Sequence, residues 1–209
     1  MGVSAWLSEY CLLFCWWLLY SKSATKELLS SKFKYAFAAL LVLLLCSCSP
    51  FKSAPESLRQ KEDVVWLEVP YVSQARDNDC GPAALASVLK YHGVEVSLEK
   101  ISDEIYISSI GRTLLPDMEN HARSKGLETM SGRGTVAQLK QAIDAGKPVI
   151  VLMDAGPALA RRGHYIVITG YTSDGFLAHA GVERDVYISF NDLDEKWQSM
   201  NRLYLMVFE

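Results

Sequence analysis

The segment QARDNDCGPAALASVLKYHG, residues 74–93, decides how this chain folds. Cys80 follows polar residues and stands directly before Gly81 and Pro82, and a proline suits the first turn of a helix. Apolar residues then recur at helical spacing until Gly93, which predicts a helix that begins at the cysteine. An isolated cysteine is often only a small buried hydrophobic residue, but such a residue is expected inside the apolar run. The position of Cys80 therefore raises the question of a chemical role.

The composition fits one globular domain with a targeting segment. The chain has 209 residues, of which 50% are hydrophobic, and this is enough for a substantial core. Its net charge of −3 provides no broad basic surface, so we expect no nucleic-acid partner. Apart from Cys80, the cysteines lie in the N-terminal quarter, which excludes a disulfide within the globular part. Cysteines and histidines do not pair at the spacing of a zinc site, so we predict no metal and no cofactor.

The stretch KFKYAFAALLVLLLCSCSP, residues 32–50, has the order of a secretory signal: lysines, an apolar run, then small residues and cysteine. Its end, from Leu45 to Cys48, resembles a bacterial lipobox, in which the cysteine is lipidated and becomes the mature N-terminus. Cys48 is the predicted lipid carrier, and Cys46 is the alternative site. An uncleaved anchor is the other interpretation, but the apolar run is only about half the ~20 residues of a spanning helix. The role of the apolar block within residues 1–31 stays open.

Residues 49–63 are polar and contain prolines, serines and charges, which predicts a flexible tether. We therefore expect a targeting segment at 1–48, a tether at 49–63 and a folded domain at 64–209. A lipid on Cys48 would anchor the chain to a bacterial membrane in the cell envelope. The folded domain would then face the periplasm or the cell exterior.

Helical patterns come first along the domain and most strand patterns come later. After a strand-like VVWLEVPYV and the helix from Cys80, further helices are predicted in LLPDMENHARSKG and TVAQLKQAIDAG. Short segments rich in Val, Ile and Tyr follow, namely KPVIVLMD, HYIVITGYT, GFLAHAG and RLYLMVFE. This order is typical of an α+β fold. We expect the cysteine-bearing helix to pack on an antiparallel sheet that supplies any partner, as in the papain-like architecture.

A cysteine attacks as its thiolate, and a helix N-terminus lowers a thiol pKa through its N–H groups and dipole. We therefore expect Cys80 to be an exposed thiol with a low pKa. Among the histidines, His164 is best placed to be its base, because it stands at the start of a strong strand. The backbone N–H of Cys80 and the side-chain amide of Gln74 could donate to an oxyanion. For two other histidines we expect structural positions, with His92 at the end of a helix and His121 on a helix surface.

The segment VPYVSQARDNDCGPAALASVLKYHG resembles the start of the bacteriocin-processing peptidases, papain-like enzymes that cleave after a double glycine. GHYIVITGY followed by FLAHAG resembles the histidine strand of that family and the strand after it. The similarity covers nearly all of residues 66–208 and is most specific from Gln74 to Gly81. It implies a cysteine peptidase with Cys80 as nucleophile, His164 as general base and then acid, and Gln74 in the oxyanion hole.

His179 occupies the position at which the family usually has a catalytic aspartate. A neutral His179 could accept a hydrogen bond and orient His164, although it would stabilise an imidazolium less than a carboxylate does. HAG in place of ADP resembles a branch of the family found as bacterial lipoproteins. The chain has no G-x-x-x-x-G-K-[ST] motif, which excludes leader-peptide export by this chain alone.

Three functions are compatible with these features. The first is a lipid-anchored cysteine peptidase that hydrolyses a peptide or protein substrate. The second is an amidase or transpeptidase on the same scaffold, because the cleft decides between water and an amine as the second substrate. The third is a catalytically idle peptide-binding lipoprotein with a protein partner in a membrane-associated assembly. A thiol at a helix N-terminus favours an enzyme over an idle module.

Overall fold

The fold is organised around an antiparallel sheet. The computed structural model describes residues 52–55, 57–58, 63–76, 78–156 and 161–209. The predicted targeting segment 1–48, with Cys48, lies outside the described residues, so the predicted domain boundaries stay predictions. Within the ranges described, no helix is long and apolar enough to cross a bilayer.

Eight strands make up the main sheet. They are β1 (Lys52–Ser53), β2 (Val65–Trp66), β5 (Glu128–Arg133), β6 (Val149–Asp154), β7 (Gly163–Tyr171), β8 (Gly175–Ala180), β9 (Glu183–Ser189) and β10 (Leu203–Phe208). The order across the sheet is β1-β9-β8-β7-β6-β10-β5, with β2 paired to β7 beside this path. Two further strands, β3 (Tyr106–Ile107) and β4 (Arg112–Thr113), form a separate antiparallel hairpin.

Helices cover both faces of the sheet. They are α1 (Cys80–Tyr91), α2 (Leu98–Ile105), α3 (Leu115–Ser124), α4 (Val136–Asp144) and α5 (Phe190–Gln198). The first three pack on one face, where Leu85 of α1 shares a core with Val167 of β7. The other two pack on the opposite face, where Trp197 of α5 shares a core with Ile166. Since neighbouring strand residues face opposite ways, β7 contributes to both cores and is buried along most of its length.

The α+β class with a helix on an antiparallel sheet is confirmed. Helix α1 begins at Cys80 as predicted, and it ends at His92 as its C-cap, before Gly93 with φ +72°. Seven of the elements described were not predicted, namely α2, α5, β1, β3, β4, β5 and β9. In the segment VVWLEVPYV only Val65–Trp66 pairs as a strand, since the chain leaves the sheet ahead of Pro70.

Part of the predicted tether lies along the sheet. Lys52 pairs with Tyr187 of β9 and Ser53 pairs with Val186. The backbone N–H of Ala54 continues the pairing by donating to the carbonyl oxygen of Asp185 at 2.7 Å. This stretch therefore pairs with β9 and forms the edge of the sheet.

Candidate active site

Cys80 is the first residue of α1, and its thiol lies near backbone N–H groups of α1 and β7. Asp79, the N-cap, does not cap the helix with its side chain. The buried Asp79 carboxylate instead accepts hydrogen bonds from Arg76 Nε at 3.0 Å and from the Ser102 hydroxyl at 3.4 Å. The backbone N–H groups of Tyr165, Gly81 and Cys80 itself act on the thiol and lower its pKa, although burial raises this pKa by more. The nucleophile candidate is thus held between the start of α1 and the start of β7.

Gly81 allows α1 to come this close to β7. A methyl group in its place would put a carbon 3.0 Å from Cβ of Thr113 and 3.2 Å from Cδ2 of Tyr165. These distances are tighter than nine in ten real Cβ contacts, so a larger residue would displace the helix start or its neighbours. The glycine after the cysteine therefore sets the separation between Cys80 and the strand that carries His164.

Cys80 and His164 line one cleft with a volume of about 380 Å³. Its lining includes Cys80 and the segment 111–114, which contains β4. Residues 161–165, Leu152 and Met200 also line it. His164 is the second residue of β7, so the strand presents its ring at the rim of the cleft. Cys80 and His164 were predicted to be a thiol and its base, and the structure brings the two residues to the same cavity.

The pKa values of the two residues favour their neutral forms. Burial raises the pKa of the Cys80 thiol, and this exceeds the lowering by the three backbone N–H groups and the charge of Arg162. Burial, followed by the positive charge of Arg162, lowers the pKa of His164 to about 4. The expectation of an exposed thiol with a low pKa is wrong, because the cysteine is half-buried. Its loss of hydration raises the pKa by more than the N–H groups at the helix start lower it. The resting pair is a neutral thiol and a neutral imidazole.

Gln74 lies close to His164 and to Gly181, and Gly181 belongs to the turn that follows β8. Its backbone N–H donates to the carbonyl oxygen of Gly181 at 3.2 Å. Gly181 has φ +61°, and a methyl group there would put a carbon 2.6 Å from Gln74 Oε1 and 3.0 Å from His164 Cε1. Oε1 of Gln74 is buried and has no hydrogen-bond partner among the residues described. The Gln74 side chain therefore fills the space next to the imidazole, and its oxyanion role stays a prediction.

His179 bridges β8 to the segment ahead of Gln74. Its Nε2 lies 3.0 Å from the carbonyl oxygen of Val69, and its Nδ1 accepts from the backbone N–H of Asp185 at 3.4 Å. These two contacts assign the tautomer with hydrogen on Nε2. The ring is buried and lies edge-on to Tyr71, with 5.3 Å between centroids, and the Tyr71 hydroxyl donates to the Gly181 carbonyl oxygen. His179 thus holds the chain segment that leads into Gln74, and its predicted role in orienting His164 stays a prediction.

Sequence reasoning missed Asp185 and Gly181. Asp185 has φ +54° and places its carboxylate Oδ1 3.4 Å from His179 Nδ1. Asp185 comes six residues after His179, on the next strand. The glycine at position 181, which indicates a turn between the two strands, was the sequence signal that the two residues lie close together. Gly181 closes the quoted FLAHAG segment, but a close approach between its backbone and Gln74 has no sequence signature.

The remaining two histidines lie away from this cleft. His92 caps α1 at its C-terminus, as predicted. His121 was expected on a helix surface, and this is wrong, because it is buried on α3 with Nδ1 3.0 Å from Glu104 Oε2. Burial lowers the pKa of His121, as expected for a histidine in a core.

Comparison with known proteins gives one family and a set of similar folds. A model of the Peptidase_C39 like family matches residues 66–205, which include Gln74, Cys80, His164 and His179. None of the curated proteins compared with the chain matches it.

Three solved structures share the fold. A double glycine motif protease from an AMS/PCAT transporter, crystallised with its leader peptide, is 23% identical with a TM-score of 0.57 over 69% of this chain and 94% of its own. A putative C39-like peptidase from Bacillus anthracis is 18% identical with a TM-score of 0.58 over 71% and 98%. The peptidase domain of Streptococcus ComA is 24% identical with a TM-score of 0.56 over 68% and 98%. At these identities the similarity establishes the fold, which is that of a papain-like cysteine peptidase.

Proposed function

Because the chain belongs to the Peptidase_C39 like family, we propose that it is a cysteine peptidase that hydrolyses a peptide or protein substrate. The observation that carries this proposal is the common cleft of Cys80, at the start of α1, and His164, at the start of β7. A thiol beside a histidine in a cleft is the arrangement required for covalent acyl transfer. The solved relative that holds a leader peptide supports a peptide as the substrate.

The neutral resting pair defines the order of proton transfers. As the Cys80 sulfur attacks the carbonyl carbon, neutral His164 takes the thiol proton and becomes an imidazolium. The oxyanion accepts hydrogen bonds from the backbone N–H of Cys80 and from the Gln74 side-chain amide. His164 then gives its proton to the departing amine, which leaves a thioester on Cys80. Water, deprotonated by His164, attacks the thioester and releases the acid product and the free thiol.

His179 acts in this proposal as a positioning residue. Its hydrogen bond to the Val69 carbonyl oxygen ties β8 to the segment 69–74, and Asp185 holds its other ring nitrogen. Gln74 and the Tyr71 hydroxyl both reach Gly181, next to the His164 ring. In this way His179 would fix the relative positions of Gln74 and His164 without touching the substrate.

The proposal includes the location of the enzyme. The signal-like segment 32–48 supports a lipid on Cys48, which would hold the peptidase at a bacterial membrane with its domain in the periplasm or at the cell exterior. Its resemblance to lipoprotein members of the family supports the same location.

Peptide cleavage by the full chain in detergent micelles tests this function. A library of peptides from a digested bacterial proteome is incubated with the protein in water enriched in oxygen-18, and new termini are identified by mass spectrometry. We expect new C-termini that carry the heavy oxygen, and their loss in Cys80→Ala and His164→Ala. Products joined to an added amine in place of oxygen-18 would indicate a transpeptidase. Cleavage that persists in Cys80→Ala would contradict the proposal.

A further inference from the structure

The cleft of Cys80 and His164 is lined by three arginines that come from two separate segments of the chain. Arg112 is the first residue of β4, while Arg161 and Arg162 directly precede β7, the strand that carries His164. All three are exposed. The chain as a whole has a net charge of −3, so this positive lining is a local feature and not the consequence of a basic protein.

The positive charge of this lining is not balanced from within the cleft. The residues that line it include no aspartate or glutamate, and among the described residues no carboxylate lies within 4.0 Å of these guanidinium groups. The backbone N–H groups of Arg162 and Gly156, and then the charge of Arg161, lower the pKa of the neighbouring Asp154 carboxyl, so Asp154 offsets part of the charge of Arg161 from outside the cleft. Its Oδ1 accepts from the N–H groups of Gly156 at 2.9 Å and Arg162 at 2.8 Å. Asp154 therefore fixes the backbone of Gly156 and Arg162, while Arg112 gives its Nε to the Ile110 carbonyl oxygen at 3.4 Å.

Arg162 is also close enough to the reacting groups for its charge to act on both. The charge of Arg162 lowers the pKa of Cys80 and that of His164. A substrate group that binds this arginine is consequently held next to the bond under attack. Because a guanidinium pairs with a carboxylate by parallel hydrogen bonds, a carboxylate is the group that this lining recognises best.

We propose that the cleft selects peptides that carry an aspartate or glutamate side chain next to the scissile bond, bound by Arg112 of β4 and by Arg161 and Arg162 ahead of β7. This specificity rests on the function proposed above and adds the class of substrate to it. A free C-terminal carboxylate offers the same chemistry, and a peptide whose terminus is blocked separates the two sources.

Binding to the full chain with Cys80→Ala, in detergent micelles, tests the selection independently of cleavage. The probes are pools of acetylated, C-terminally amidated hexapeptides that contain one Asp or Glu, with Asn or Gln pools as the matched neutral set. Peptides retained by the protein are counted by mass spectrometry. We expect acidic peptides to be retained about 5- to 30-fold better, a range set by exposed charge pairs with more than one arginine. The preference should decrease at high salt, since the arginines are exposed.

Charge-removing variants assign the preference to the cleft. Arg162→Gln should reduce the acidic preference by about 5-fold, and the combination with Arg112→Gln should remove most of it. The matched control is Arg133→Gln, which removes the same charge from an exposed position on β5 outside this cleft. Equal retention of acidic and neutral pools, or an equal effect of Arg133→Gln, would overturn the proposal. If the preference appears only for peptides with a free C-terminus, the cleft recognises the terminal carboxylate and not an acidic side chain. This result would also overturn the proposal.

The same peptides, used as substrates of the unaltered protein, keep the two proposals apart. Cleavage that depends on Cys80 but shows no enrichment of Asp or Glu next to the cut would overturn the selection and leave the peptidase standing. Selective binding of acidic peptides without any cleavage would overturn the peptidase and leave an acidic-peptide receptor.

Discussion

Replacing Gly181 with alanine should impair catalysis far more than it impairs folding. A Cβ at this position would lie 2.6 Å from Gln74 Oε1 and 3.0 Å from His164 Cε1, so the Gln74 amide must move away. Since the amide is the far end of a flexible side chain, its movement adds little to the free energy of unfolding. The left-handed backbone, with φ +61°, costs alanine about 1–2 kcal/mol. Loss of one oxyanion donor lowers kcat by about 100-fold or more.

Gly146→Ala is the matched control for this change. Gly146 has φ +74° and nothing within 4 Å of the added methyl group, so it carries the same backbone cost without the contact to Gln74. Both variants should lose a similar few degrees of Tm, and only Gly181→Ala should lose kcat/KM on the best library peptide. If the loss acts through Gln74, the double variant with Gln74→Ala should be no worse than Gln74→Ala alone. Full activity in Gly181→Ala, or losses that add in the double variant, would refute this reasoning.

Four further results are expected. The acid limb of kcat/KM, measured with a substrate free of titrating groups, should lie near pH 4. The base must be neutral to act, and burial lowers the pKa of His164 to about 4. An acid limb near pH 6.5 would contradict this. Gly81→Ala should push α1 off β7 and lower kcat/KM by about 10- to 100-fold at a cost of about 1–3 kcal/mol in unfolding free energy; unchanged kinetics would count against it. His179→Ala should lower kcat by about 10- to 100-fold, far less than loss of Cys80, and an unimpaired variant would reduce the site to a Cys–His dyad. Cys48→Ala should abolish incorporation of labelled palmitate, and persistent incorporation would move the site to Cys46 or end the lipoprotein proposal.

The fold was accessible from sequence where the pattern is local. The start of α1 at Cys80 and its end near Gly93 follow from helix-terminal residues that act over a few positions. The strand segments from 148 onward are apolar enough to identify β6, β7, β8 and β10. Strand β5 was missed because it is an edge strand with mostly exposed polar residues, and α5 was missed because only Leu193 and Trp197 on it are buried.

The candidate site was harder to predict from the sequence than the fold, because its chemistry depends on distances across the sheet. Sequence order suggested Cys80 and His164 as partners, and both line the cleft. The predicted direction of the Cys80 pKa shift was wrong. The sequence indicates that a helix starts at Cys80, but it does not show how much hydration the thiol loses on burial. One partner of His179, Asp185, is brought near by the turn between β8 and β9, while the other, Val69, lies 110 residues away along the chain. The arginine lining likewise joins β4 to the segment before β7, and about fifty residues of sequence separate them.

Detection of the covalent intermediate tests the central claim most directly. The full chain in detergent micelles is mixed with its best library peptide, quenched in acid within milliseconds to seconds, and examined by intact-protein mass spectrometry and peptide mapping. We predict a mass increase equal to the N-terminal fragment of the substrate, located on Cys80 as a thioester that hydroxylamine releases, and absent in Cys80→Ala. Cleavage of the peptide at a full rate in Cys80→Ala, or an acyl group located on any other residue, would contradict the account.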